Sequence, residues 1–169
     1  MKTIKIICHE TIFHLSIGLD ARGVGPRIML ITAPVLIAAI VFEIQSAPFS
    51  DIVFMKNNIV KTAGWVWLII GIAALVASMA QFISNFPKGQ LITKGMYSCS
   101  RNPIYACWIV LILPAVGVIC SNWVFFAAAF VMCAATIFLV KDEEAELLQC
   151  YGKQYFEYKK KVGRIIGFL

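Results

Sequence analysis

The run PIYACWIVLILPAVGVICSNWVFFAAAFVMCAATIFLV, from Pro103 to Val140, contains no charged side chain. A hydrocarbon core about 30 Å thick is crossed by roughly 20 helical residues rising about 1.5 Å each, so this run is far too long for one crossing. Ser121-Asn122, preceded by Pro114 and Gly117, divides it into two spans joined by a tight turn. The unit expected here is a transmembrane helical hairpin, and the rest of the chain is read outward from it.

Upstream, two further segments approach a span without a charge: Ile28–Phe42, with Pro34 inside it, and Thr62–Ile83. Of the 169 residues, 60% are hydrophobic and only 14% charged, whereas a water-soluble domain is nearer half apolar and a quarter charged. A domain of this size leaves much of its surface exposed, so the surplus apolar area has to face lipid. The fold class expected is an all-α integral membrane protein of about four transmembrane helices, with interfacial helices at both ends. It reads as a single membrane domain over 1–169, without internal repeats. Residues 1–27 form an interfacial segment, 28–83 the first two spans, 84–152 the motif region with its hairpin, and 153–169 a basic amphipathic tail.

Charge sets an expected orientation. Lys2, Lys5, Arg22 and Arg27 precede the first span, Lys88, Lys94 and Arg101 follow the second, and six more cations lie from Lys141 onward; only Lys56 and Lys61 fall between the first two spans. Four spans with both termini cytoplasmic put thirteen of the fifteen cations on one face, the arrangement the positive-inside rule selects. The first residues do not read as a cleaved signal, because His9, Glu10 and His14 interrupt its apolar stretch. Ile4–Leu19 suits a helix lying on the membrane. Tyr155–Leu169, mixing Tyr158, Val162, Ile165 and Phe168 with Lys159, Lys160, Lys161 and Arg164, suits an anionic lipid surface better than nucleic acid. Of the six cysteines, Cys107, Cys120 and Cys133 lie within apolar runs as small hydrophobes, no C-x-x-C pair occurs, and all six are expected as thiols.

The chemistry is concentrated in two stretches. In Leu91-Ile-Thr-Lys-Gly95-Met-Tyr97-Ser-Cys-Ser-Arg101-Asn-Pro-Ile-Tyr105, Gly95 suits a turn, Asn102 an N-cap and Pro103 a first helical residue. The free N–H groups of that helix start, together with Arg101, suit an anion, although the stretch by itself also reads as a capped helix with an interfacial arginine. The second stretch, Lys141-Asp-Glu143-Glu144-Ala-Glu146, ends the last span with acidic residues that oppose the helix macrodipole. Because the hairpin is antiparallel, it returns these carboxylates to the membrane face of Arg101. A cationic and an anionic site at one end of an apolar helix pair suit a zwitterion with a greasy partner. S-adenosyl-L-methionine fits that description, and methyl transfer from its sulfonium to an aligned nucleophile requires no metal.

From about Gln81 to Arg164, half the chain, the sequence resembles the isoprenylcysteine carboxyl methyltransferase and phospholipid methyltransferase superfamily of integral membrane enzymes. The pattern reads Leu91-Ile92-x-x-Gly95-x-Tyr97, Arg101-Asn102-Pro103-x-Tyr105, then Glu143-Glu144, Leu147, and Tyr151-Gly152-x-x-Tyr155-x-x-Tyr158-x-x-x-Val162-x-Arg164. The resemblance implies a methyltransferase that uses S-adenosyl-L-methionine and a lipophilic or lipid acceptor in the membrane, with neither metal nor nucleic acid as partner. It implies cofactor contacts from Gln90, Leu91, Ile92, Tyr97, Asn102, Pro103, Ile104, Tyr105 and Glu143, with Arg101 and Glu144 beside them for the catalytic step.

Two positions depart from the family. Leu139 stands where prenylcysteine enzymes have an arginine for the substrate carboxylate, and Cys107 where relatives often have glycine. Sterol reductases that use NADPH carry a similar C-terminal motif, but with histidine at the position of Asn102 and an acidic residue soon after the motif tyrosine, where Ala106-Cys107-Trp108 stands here. A non-catalytic membrane scaffold is the other alternative, supported by the same two departures. His9-Glu10-Thr-Ile-Phe-His14 has one residue too many for a zinc-protease helix, Gly23-Val-Gly25 lacks a dinucleotide loop's third glycine, and Gln81 reads as an interfacial polar residue.

Overall fold

The computed structural model describes residues 24–45, 51–85 and 90–167. Among these, four helices are long and apolar enough to cross a membrane: α1 (Val24–Ile44), α2 (Asn58–Asn85), α3 (Pro103–Cys120) and α4 (Val124–Tyr151). A fifth, shorter helix, α5 (Lys153–Lys161), follows α4 after Gly152. No strand occurs among the described residues. The protein is an all-α integral membrane protein. The expected interfacial helix of residues 4–19, together with Lys88 and Phe168, lies outside the described residues.

The spans are longer than their uncharged cores. α1 begins at Val24, four residues before the apolar run, because Pro26 falls in its first turn, where a missing N–H costs nothing. α2 begins at Asn58, where the Asn57 side chain accepts the Ile59 N–H at 2.9 Å. The helices are ordered in space α2, α3, α4, α1, since α2 packs along α3 and α1 packs along α4.

In lipid, helices gain little by hiding apolar area from one another, so close approach of small residues carries the association. α2 buries Gly64, Gly71 and Ser78, spaced by seven, as one stripe. A Cβ at Gly71 would meet the Leu111 Cβ at 2.9 Å, and one at Gly64 would meet Val118 and Ile119 carbons at 3.0 Å. Opposite this stripe α3 widens into a π-helical stretch, Cys107–Ile112, and the Cys107 thiol lies 3.9 Å from the Ser78 hydroxyl. The departure from the family glycine thus falls where α3 is unwound against α2.

The hairpin turn sits at the predicted dipeptide. Ser121 is left-handed at φ 57°, and the fully buried Asn122 accepts the Val124 N–H at 3.0 Å while donating to the Ala39 carbonyl and to Glu43. One asparagine therefore caps α4 and ties the turn to α1.

The tail departs from a simple surface anchor. Tyr155, Tyr158 and Val162 are buried against Leu91, Leu147 and Tyr151, and Ile165 joins the main core with Val24, Ile28 and Val140. The apolar face of the tail covers protein, because the loop before α3 and the end of α4 offer a closer apolar partner than the lipid surface. Lys159, Lys160 and Lys161 stay exposed. Cys99, Cys107, Cys120 and Cys133 are free thiols, but Cys150 is disulfide-bonded. The expectation of thiols fails at Cys150.

Candidate functional site

A cavity of about 480 Å³ opens at the end of the bundle where α3 begins and α4 ends. That volume is in the range of small-molecule sites. Five elements supply its wall: the end of α2 through Met79, Phe82 and Ile83, the loop 90–102, the start of α3, the end of α4, and α5. All the residues implied by the family pattern come together here. Gln90, Leu91, Ile92, Tyr97, Arg101, Asn102, Pro103, Ile104, Tyr105, Glu143 and Glu144 line this one space, although they lie up to 54 positions apart in sequence.

The loop holds its shape by local and distant bonds. Gly95 adopts φ 65°, and a Cβ there would collide with the Gln81 amide, so glycine is needed on both counts. Gln81 accepts the Met96 N–H at 3.0 Å. It latches the Gly95–Ser98 turn to α2 and does not line the cavity. Asn102 stands at the N-cap position before Pro103, as expected, but makes no capping bond with its side chain. Its amide instead donates to the Arg164 carbonyl at 3.1 Å, because the tail supplies an acceptor that sequence spacing does not reveal.

The two glutamates face different partners. Glu144 is 3% exposed and surrounded by cations. Arg164 donates to both of its oxygens, at 3.0 and 2.8 Å. Arg101 Nη2 lies at 3.2 Å and Lys159 Nζ at 3.3 Å. Glu143 lies within electrostatic reach of the Val24 backbone at the start of α1, of Tyr105 and of Glu146. The start of α1 closes on this corner, since a Cβ on Gly25 would stand 3.4 Å from the Tyr105 hydroxyl.

The Arg101 guanidinium and the Tyr155 hydroxyl are buried next to each other beside the cavity and interact with each other. Burial pushes the Tyr155 phenol up to about 12, with the Glu144 charge adding to the effect. It also raises Tyr97 and Tyr158, whose hydroxyl donates to the Tyr97 carbonyl at 2.6 Å. Hydrogen bonding to Glu144 raises Arg164.

Tyr155, Tyr158, Lys159 and Arg164 belong to the site but not to the residues expected there. Their signal was present as the Tyr-x-x-Tyr spacing, which puts two phenols on one helix face. The position implied for the substrate arginine, Leu139, is partly buried and packs against the main core.

These features define a membrane-embedded helical protein with a polar-tipped, aromatic-walled cavity at one end of its bundle. Residues 59–154 match the phospholipid methyltransferase family, and the chain belongs to that family. It is 24% identical over 193 aligned residues to the protein-S-isoprenylcysteine O-methyltransferase of Xenopus laevis, an alignment covering 96% of this chain and 63% of that protein. The enzyme of the same name from Rattus norvegicus is 24% identical over 192 residues, covering 96% of this chain and 64% of that protein. The chain thus spans less than two thirds of the length of these relatives. No solved structure matches it.

Proposed function

We propose that this protein is an S-adenosyl-L-methionine-dependent methyltransferase acting on a lipophilic, membrane-borne acceptor, with its cavity and both termini on the cytoplasmic side. Family membership implies a methyl donor, and the names of the relatives support a lipid-like acceptor. The observation that carries the reading is the polarity of one cavity wall. It holds the carboxylate of Glu143 together with the Arg101 guanidinium and the Tyr155 phenol.

A zwitterionic donor matches that wall. Glu143 would take its ammonium, Arg101 and Tyr155 its carboxylate, and Tyr97, Tyr105 and Tyr151 would pack on its adenine. When bound, such a donor supplies a sulfonium methyl open to direct displacement by a nucleophile in line with it. The chain's own contribution is binding, orientation and exclusion of water, which together lower the barrier by several kcal/mol (on the order of 7–11 in favourable cases). Met79 and Ile83 line the cavity and are also exposed on the outer face of α2, so an apolar acceptor has a way in from the lipid beside that helix.

Two measurements test the reading. In equilibrium binding to detergent-purified protein, S-adenosyl-L-homocysteine should bind and NADPH should not; the reverse preference would replace methyl transfer by a reductase. Membranes incubated with methyl-labelled donor should then accumulate label in a lipid fraction, and release of that label by mild base would identify a methyl ester.

A further inference from the structure

We propose that Arg164 is a positioning residue for the donor's anionic end and acts through Glu144 on Arg101, so that the segment after α5 is an integral part of the site. This inference rests on the reading of the cavity as a donor pocket. Arg164 closes the family pattern without a contact assigned to it there, and its side chain does not line the cavity.

The two arginines divide the work. Every nitrogen of Arg164 is engaged: Nε and Nη2 fork onto the two oxygens of Glu144, and Nη1 donates to the Ile137 carbonyl at 3.1 Å. Arg164 therefore has no unengaged nitrogen for a ligand. Arg101 touches the same carboxylate through Nη2 alone, and the rest of its guanidinium lies against Tyr155. A bidentate guanidinium–carboxylate pair is the stronger and more directional contact. Arg164 accordingly fixes Glu144, and Glu144 fixes one corner of Arg101, which holds Arg101 at the cavity wall.

The backbone repeats this arrangement. The Arg101 N–H donates to the Gly163 carbonyl at 2.9 Å, and the Arg164 carbonyl accepts the Asn102 N–H, the Asn102 amide and the Ser100 hydroxyl. Gly163 and Arg164 thus brace the main chain around Arg101, and Arg164 braces its side chain through Glu144. If the Arg164 guanidinium were removed, Glu144 would be free to draw Arg101 away from the cavity wall.

The test compares two ligands that differ at one end. S-adenosyl-L-homocysteine carries the amino-acid group, whereas 5′-methylthioadenosine has the same adenosine and thioether without it. Arg164→Ala should weaken S-adenosyl-L-homocysteine by about tenfold or more, as expected for a charge-assisted hydrogen bond, and leave 5′-methylthioadenosine within about twofold. Arg164→Lys, which keeps the charge without the fork, should fall between wild type and alanine. In a Glu144→Gln background, Arg164→Ala should add little. Equal weakening of both ligands in the alanine and lysine variants would reduce Arg164 to a scaffold residue, and unchanged S-adenosyl-L-homocysteine affinity would remove its role altogether. Either result overturns the proposal while the donor pocket stands. A wild-type protein that bound neither ligand would overturn the donor pocket and this inference with it.

Discussion

Glu143 and Glu144 are adjacent in sequence, yet a helix turns about 100° between them and sends them to different partners. Glu144 pairs with three cations and is nearly inaccessible. Its loss leaves Arg101, Arg164 and Lys159 facing one another, so Glu144→Ala should cost about 3–5 kcal/mol, the scale for breaking a buried ion pair. The check is the thermal midpoint in detergent, which should drop clearly. Glu143 carries less of the fold, since no ion pair among the described residues holds it and it only approaches the Val24 backbone. Glu143→Gln should keep the wild-type midpoint and weaken donor binding by about 1.5–3 kcal/mol, the scale for hydrogen bonds to charged groups. Unchanged affinity in that variant would remove Glu143 from the donor site. The pair was legible in sequence as an acidic cluster returned by the hairpin to the face of Arg101, and the family resemblance gave Glu143 to the cofactor and Glu144 to the catalytic step. The ion pairs that enclose Glu144 were not legible, because they depend on Arg164, 20 positions further on.

Elements were legible to the extent that their signals are local. Apolar length gave the four spans, and Ser121-Asn122 gave the turn. The packing of α2 on α3 was not legible, because small residues seven apart show their meaning only against the facing ridge. Gly71→Leu should force the Leu111 and Ile112 side chains aside and destabilise the protein by about 1–3 kcal/mol or more, the scale of overpacking, read as a lowered midpoint with retained helical circular dichroism at low temperature. The tail misled the sequence reading for a related reason: lysines mixed with aromatics suit a lipid surface, but Tyr155 and Tyr158 are turned into the protein. Their titration reports that docking. Tyr155 ionises near pH 12, and Tyr97 and Tyr158 are also raised by burial, whereas an unfolded tyrosine ionises near pH 10. The stability these phenols contribute is complete below about pH 10 and is lost as pH rises toward 12 and above, because the unfolded chain gives up its protons first. Absorbance at the phenolate band should therefore rise together with loss of tertiary signal. A rise that precedes unfolding, with the ordinary midpoint, would place the tyrosines in water.

At the scale of the whole molecule, the described ends of the chain meet at one end of the bundle. The Val24 backbone approaches Glu143, and Ile165 packs with Val24 and Ile28. This closure gathers Arg101, Lys141 and the tail lysines where the cavity opens, and leaves Lys56 and Lys61 at the far end beside Asp51 and the hairpin turn. The cation bias then becomes a statement about which compartment the cavity faces: under the positive-inside rule it faces the cytoplasm. Chemical access to thiols tests this directly. Cys99 is free and exposed in the loop that lines the cavity end, whereas Cys107 is buried in α3. A cysteine introduced at Asn58, exposed at the start of α2, marks the opposite end. A membrane-impermeant maleimide should modify Cys99 only in inverted vesicles and Asn58→Cys only in vesicles of native orientation. Saturation with S-adenosyl-L-homocysteine should leave the far-end label unchanged. Labelling of Cys99 from the outer side would turn the bundle over, placing thirteen cations outside and the cavity away from the cytoplasm.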